Sequence, residues 1–233
     1  MTGTSLRQAR FAAAMASLPL VAILRGIRPA EAEAIGRTLE DAGFGLIEVP
    51  LNSPDAFDSI ARLRRVLGPA TLVGAGTVSQ ITDVQRLQAL AADLVVMPHA
   101  DSAVIRAAKA AGLLCVPGVA TPTEAFAALA AGADALKLFP AELVTPAVLK
   151  AWRAVLPATL QLLPVGGITP ASLAPWCLAG ASGFGLGSAL YQPGCSPQAV
   201  AERAAAFVQA WRLLRADPRP DPRPDTRPAK PPT

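Results

Sequence analysis

The sequence predicts an α/β fold: a (β/α)8 TIM barrel with an N-terminal lead-in helix and a Pro-rich C-terminal tail. Three observations predict it. Short β-rich apolar runs alternate with Ala-rich amphipathic stretches, and eight such units repeat at a spacing of about 25 residues, as a closed barrel requires. The chain of 233 residues is the size of one such domain. Proline opens several of the helical stretches and glycine closes them.

The elements follow in order. Residues Ser5 to Ala16 read as the lead-in helix. Arg7 and Arg10 before FAAAMA imitate a secretory signal, but the apolar segment is shorter than the roughly seven residues a signal needs. Strands are expected over Leu20–Leu24, Leu46–Val49, Thr71–Val73, Leu94–Met97, Leu113–Val116, Ala135–Phe139, Leu160–Val165 and Gly183–Leu186. Pro29, Ser53-Pro54, Thr121-Pro122 and Thr169-Pro170 each mark a helix start. Gly43, Gly112, Gly132 and Gly180 each end an Ala-rich helix ahead of a strand. A doubly wound open sheet is the rival fold. It favours a glycine-rich dinucleotide turn after the first strand, where this chain has Leu24-Arg25-Gly26-Ile27.

The barrel is expected over residues 1–215, with a separate tail over 216–233. There DPRP-DPRP-DTRP places proline in nearly every four-residue unit. Such a segment is extended and disordered, because it lacks backbone donors and apolar bulk. A proline-motif docking role is the alternative to a solvated appendage.

Composition narrows the function. Apolar residues make up 52% of the chain and aromatics 5%, which favours many closely packed helices over a β-sandwich. No apolar run reaches the roughly 18 residues that span a bilayer. The net charge is +4, but no basic stripe interleaves with aromatics, so no nucleic-acid partner is expected. The three cysteines, Cys115, Cys177 and Cys195, follow no disulfide or metal spacing and read as reduced thiols of a cytoplasmic protein. With His99 the only histidine and no Asp/Glu cluster, no metal site and no cofactor are expected.

Active sites of such barrels lie at the C-terminal strand ends. The first predicted strand ends in Arg25, the second in Glu48, and the third runs into GAGT with Thr77. The sixth contains Lys137 between Leu136 and Leu138. The seventh leads into Gly166-Gly167, and the eighth into Gly187-Ser188. A lysine inside a barrel strand must be paired or lose its charge, and a neutral amine is what attacks a carbonyl. The alternative is a lysine that snorkels out between helices. Glu48 is a general acid/base, or else the structural partner of Lys137 or Arg25. Arg25 binds a substrate carboxylate, or ties the first strand to Glu48. The glycine turns after the last two strands suit a phosphate, although glycine pairs also make plain turns.

The motifs AILRGI, IEVPLNSP, VGAGTV, VPGVATPTEAFAAL, ALKLFPAE, PVGGIT and GLGSALY occur in this order from about Leu18 to Trp211. On them the chain resembles the 2-keto-3-deoxy-6-phosphogluconate and 2-dehydro-3-deoxy-6-phosphogalactonate aldolases, class I lyases on a (β/α)8 barrel. The resemblance implies that Lys137 is the Schiff-base lysine and Glu48 the acid/base. It implies that Arg25 and Thr77 hold the keto-acid end, and that Gly167, Gly187 and Ser188 hold the phosphate. The partner it implies is a phosphorylated 2-keto-3-deoxy sugar acid, with a homotrimer as the assembly.

Two departures favour the galactonate type. Pro-Leu-Asn-Ser-Pro follows Glu48 where gluconate-type members usually carry Thr-Leu-Arg-Thr, so Asn52 replaces an arginine of the carboxylate site. Val165 stands before the glycine pair where they usually have threonine. The rival readings are a gluconate-type aldolase on the same scaffold and a non-catalytic sugar-phosphate-binding barrel. A mere phosphate binder has no use for an amine buried in the sixth strand.

Overall fold

A computed structural model of the chain describes residues 3–216. Helix α1 (Gly3–Ser17) leads into β1 (Leu20–Ile23), and strands and helices then alternate. They are α2 (Pro29–Asp41), β2 (Leu46–Pro50), α3 (Ala56–Val66), β3 (Leu72–Gly76), α4 (Ile81–Ala89) and β4 (Leu94–Val96). Next come α5 (Ser102–Ala110), β5 (Leu114–Val116), β6 (Gly118–Val119), α6 (Pro122–Ala130), β7 (Leu136–Leu138) and α7 (Pro146–Arg153). The last are β8 (Leu162–Pro164), α8 (Leu173–Leu178), β9 (Phe184–Leu186) and α9 (Pro197–Ala216). The expected tail, from Asp217 onward, lies outside the described residues.

The result is an α/β fold whose parallel strands form a curled sheet. Six strands pair in the order β5-β4-β3-β2-β1-β9, and three in the order β6-β7-β8. A single bridge, Val165 to Gly185, joins the continuation of β8 to β9. On the other side β5 passes into β6 through Pro117, whose carbonyl accepts from Lys137 N–H at 2.9 Å. Proline has no N–H for the ladder, so β5 stops at Val116, where the fifth predicted strand ends, and pairing resumes after Pro117 as β6, which the sequence does not predict.

Both faces of the strands are buried, which is why they read as near-continuous apolar runs rather than alternating ones. Val21, Leu46, Leu72, Leu94, Leu114 and Leu163 point to the inner face, where Phe11 and Met15 of α1 join them. Leu20, Ala22, Ile47, Val73, Val95 and Leu136 point outward into the larger core shared with the helices.

The helix signals hold with two corrections. Thr121 and Glu124 cap each other's backbone at the start of α6, with Pro122 in the first turn. Gly43, Gly112, Gly132 and Gly180 have φ of 94°, 74°, 100° and 100°, the left-handed conformation that ends a helix at low cost only for glycine. Ser53-Pro54, however, does not open α3. Its cap is Asp55 at φ 44°, and the Ser53 hydroxyl is used elsewhere, accepting from Gly26 N–H at 2.8 Å. Thr169-Pro170 opens a 3-10 turn, Pro170–Ser172, and α8 follows it. Among the described residues no helix is long and apolar enough to cross a membrane.

Helix α1 runs across the N-terminal end of the strands and is tied down by charge. Asp93, just before β4, is 1% exposed. It accepts from Arg10 of α1 at 2.8 Å and from Arg64 of α3 at 2.7 Å, with Arg7 of α1 at 3.6 Å. Its second oxygen also takes the Val73 N–H at 3.1 Å, so the buried carboxylate is fully paired.

Candidate active site

Strand alternation turns Lys137 inward. Its neighbours Leu136 and Leu138 are completely buried against the helices, so the side chain between them faces the inside of the curled sheet, 4% exposed. The snorkelling alternative is thereby excluded. Glu48 arrives the same way on β2, between Ile47 and Val49, and is 2% exposed. The two side chains line one cavity together with Ile23, Val165, Gly185 and Phe11, and among the described residues they are the only charged groups in its lining.

No hydrogen bond or ion pair joins Glu48 to Lys137, and Oε2 of Glu48 is buried without a hydrogen-bond partner. Burial dominates the electrostatics of both. It pushes the Glu48 carboxyl above its ordinary range, against the opposing pull of the Lys137 and Arg25 charges. It holds the Lys137 amine below the ordinary lysine range; the Glu48 charge opposes this and the Arg25 charge adds to it. The Phe139 ring lies 4.6 Å from Lys137 Nζ, a face that favours the charged amine. Burial thus shifts both groups toward their uncharged forms, the direction that suits an amine for adding to a carbonyl and a carboxyl for carrying a proton.

The remaining predicted residues surround the C-terminal strand ends. Arg25 does not tie β1 to Glu48. Its guanidinium donates to Oδ1 of Asn52 at 3.1 Å, joining the loops after β1 and β2. Thr77 follows β3 and is held at φ 57°. A β-branched residue there is strained by roughly 1–3 kcal/mol, a cost that surrounding structure must hold in place.

The bridge between Val165 and Gly185 sets Gly167 and Gly187 each two residues further along neighbouring chains, so the two glycine turns lie side by side. They are glycine for different reasons. Gly166 and Gly167 have φ of 121° and 60°, and a Cβ on Gly166 would collide with the Glu142 carboxylate. At Gly187 a Cβ would meet nothing within 4 Å, and the backbone is not left-handed. Neither packing within the chain nor backbone conformation asks for glycine there. Ser188 beside it is exposed, and its carbonyl accepts from Gln192 Nε2 at 3.2 Å.

Sequence reasoning missed Gly76 and Glu142. A Cβ on Gly76 would overlap the Glu48 carboxylate, so this glycine makes the room in which Glu48 sits. The doubled glycine of GAGT was its only signal. Glu142, in LFPAE, packs on the Gly166-Gly167 turn, which no spacing rule indicates. Among the described residues no three His, Cys, Asp or Glu side chains come together as a metal site. Cys115 and Cys177 are no rival nucleophiles: burial pushes Cys115 up to about 12 and Cys177 to about 11.

The profile of the KDPG and KHG aldolases matches residues 11–201. A 2-dehydro-3-deoxy-6-phosphogalactonate aldolase of Escherichia coli (strain K12) is 49% identical over 195 residues, covering 84% of this chain and 95% of the relative. A protein of Rhizobium meliloti (strain 1021), named a probable 2-dehydro-3-deoxy-6-phosphogalactonate aldolase, is 47% identical over 193 residues, covering 83% of this chain and 91% of the relative. A solved structure described as native KDPGal superposes with a TM-score of 0.84 at 48% identity, covering 85% of this chain and 97% of the other. The chain is thus an enzyme of the carbon–carbon lyase class, an aldolase. It belongs to the KDPG and KHG aldolase family.

Proposed function

We propose that the chain cleaves 2-dehydro-3-deoxy-6-phosphogalactonate to pyruvate and glyceraldehyde 3-phosphate, in the breakdown of galactonate, through a Schiff base on Lys137. The observation that carries this reading is that Lys137 and Glu48 are, among the described residues, the only charged groups lining one apolar cavity. The Lys137 amine adds to the C2 ketone, and the carbinolamine hydroxyl leaves as water with the proton of the Glu48 carboxyl, which gives an iminium and a Glu48 carboxylate. Glu48 takes the C4 hydroxyl proton, the C3–C4 bond breaks, and its electron pair passes to the iminium to form an enamine. Glyceraldehyde 3-phosphate leaves. Glu48 returns the proton to C3, and water hydrolyses the new iminium to pyruvate and free amine. The iminium is the electron sink, so the scheme calls for no metal or cofactor.

Arg25 and Thr77 hold the keto-acid end in this reading, and Gly167, Gly187 and Ser188 hold the phosphate through backbone N–H and hydroxyl groups. Arg25 is the cation whose field reaches both Glu48 and Lys137, which supports a carboxylate at that place. The open space beside Gly187 supports an anion there.

We read the two sheets as one closed (β/α)8 barrel, supported by the Val165–Gly185 bridge on one side and the continuous chain through Pro117 on the other. By resemblance the assembly is a homotrimer, which sedimentation would show as the mass of three chains. The unpaired, unpatterned thiols support a cytoplasmic location.

Incubation with pyruvate and borohydride, followed by peptide mass analysis, tests the mechanism. A three-carbon adduct is expected on the Lys137 peptide. An adduct on Lys109 or Lys150 instead, or none anywhere, overturns it. The gluconate-type reading rests on the same chemistry and differs at Val165.

A further inference from the structure

The cavity that holds Lys137 and Glu48 continues down the inside of the sheet and is closed at its far end by Phe11 of α1. Between them the lining is apolar, formed by residues such as Leu46, Leu94, Val116 and Leu163. A water molecule needs two to four polar partners to settle inside a protein, and this lining offers none along its length. Any water that entered from the α1 end would find its first partners at Lys137 Nζ and at the unpartnered Oε2 of Glu48.

Helix α1 is fastened across that end by its arginines. Arg10 donates to Asp93 at 2.8 Å and to the Thr71 carbonyl at 3.0 Å, and Arg7 donates to the Gly112 carbonyl at 3.2 Å. These acceptors precede β4, β3 and β5, so the helix is pinned to three successive strand starts. Phe11, next after Arg10, lines the cavity and is 8% exposed.

We propose that α1 is a stopper that keeps water from reaching Lys137 and Glu48 from behind, and that Phe11 is its positioning residue. The inference rests on Lys137 acting as a neutral amine. Water admitted beneath it favours the ammonium, which cannot attack a carbonyl, and favours the carboxylate on Glu48. Burial is the largest cause that lowers Lys137 and raises Glu48, and Phe11 lines the cavity that buries them. The charged groups facing Lys137 are Glu48 from β2 and Arg25 beyond β1, with the uncharged Phe139 ring on its own strand. The arginines of α1 are engaged at the rim by Asp93.

The test is competitive acylation of the full-length protein with acetic anhydride across pH, reading Lys137 by peptide mass analysis. This follows the neutral amine without reference to turnover. In Phe11→Ala the midpoint of Lys137 labelling moves up by about one pH unit, and kcat/KM below the midpoint falls about tenfold. Phe11→Leu refills the position and keeps the wild-type midpoint. Ile105→Ala, which opens a hole in the helix-facing core away from the cavity, lowers Tm and leaves the midpoint in place. Should Phe11→Ala fail to fold, Phe11→Val carries the same expectation. An unchanged midpoint in a folded Phe11 variant, or an equal shift in Ile105→Ala, overturns the proposal. A midpoint that responds to Phe11 while the wild type forms no pyruvate adduct upholds the stopper and sinks the Schiff-base reading instead.

Discussion

The Glu48 carboxylate occupies the space in which a Cβ on Gly76 would stand. Glu48 pairs with Gly74 on the neighbouring strand, so Gly76 lies two residues further toward the strand end, alongside the acid. Its backbone is not left-handed, so glycine is there for room rather than for conformation.

Gly76→Ala therefore displaces the acid from its place while leaving the amine alone. A shift of about 1 Å in a reacting group costs on the order of a hundredfold in rate. Turnover is expected to fall by about that factor, while pyruvate and borohydride still label Lys137. Near-wild-type turnover in Gly76→Ala would mean that the position of Glu48 does not limit the reaction.

Lys137 carries a stability cost whose sign can be worked out. Its folded-state pKa is lowered from 10.5, so between the lowered value and 10.5 the unfolded chain binds more protons than the folded one. Stability contributed by this residue therefore rises with pH across that window, and the cost is greatest below it. Lys137→Met replaces a desolvated amine with an apolar side chain of similar length. It should abolish turnover and raise Tm at neutral pH. The gap to wild type should narrow as pH climbs toward 10.5. Glu48, raised above 4.5 by burial, works oppositely: its contribution is lost as pH rises through its folded pKa, so Glu48→Gln also stabilises at neutral pH. Thermal melts of both variants from acid to alkaline pH check the signs, and a Tm drop at neutral pH in Lys137→Met would contradict them.

Asp93 is the single carboxylate against which Arg7, Arg10 and Arg64 are gathered. Asp93→Asn leaves three guanidiniums without their counter-charge, and removing one member of a buried ion cluster costs about 3 kcal/mol. Denaturant unfolding should show a loss of that order. Because α1 is released from the strand starts, amide exchange should speed up first in Gly3–Ser17. Uniform acceleration over the whole chain would mean that α1 is not separately held.

Much of this was legible because the rules involved are local. Lys137 between two leucines, Glu48 in LIEVP and the glycines at 43, 112, 132 and 180 announce themselves through alternation and backbone conformation, which depend on a few neighbouring residues. What was hidden depends on which chain segments meet. Arg25 was weighed as a partner for Glu48, but its partner is Asn52 on the next loop. The fit of Gly76 to Glu48 and of Glu142 to Gly166 links separate strands, with no periodicity to mark it. Asp93 gave no signal either, since its three arginines come from two different helices. Ser53-Pro54 misled for the same reason: the serine resembles a helix cap, but Gly26 N–H from another loop claims its hydroxyl.

Substrate choice turns on Val165. It lines the cavity with Lys137, and its methyl groups fill the space left by Gly185, where a Cβ would meet Val165 Cγ2 at 2.6 Å. The galactonate- and gluconate-derived keto acids differ in the configuration of the C4 hydroxyl, the group that must lose its proton. A valine offers that hydroxyl no hydrogen bond on its side of the cavity, whereas a threonine does. A site lacking the partner forfeits roughly 1–3 kcal/mol for the epimer that needs it. Higher kcat/KM is therefore expected for the galactonate-derived substrate. Val165→Thr keeps the same branched shape beside Gly185, so the fold should tolerate it, and the hydroxyl gained should narrow the preference by about tenfold. Paired kinetics on both epimers decide it. If the wild type cleaves the gluconate epimer as fast or faster, Val165 does not set the preference, while the adduct on Lys137 would remain the test of the aldolase mechanism itself.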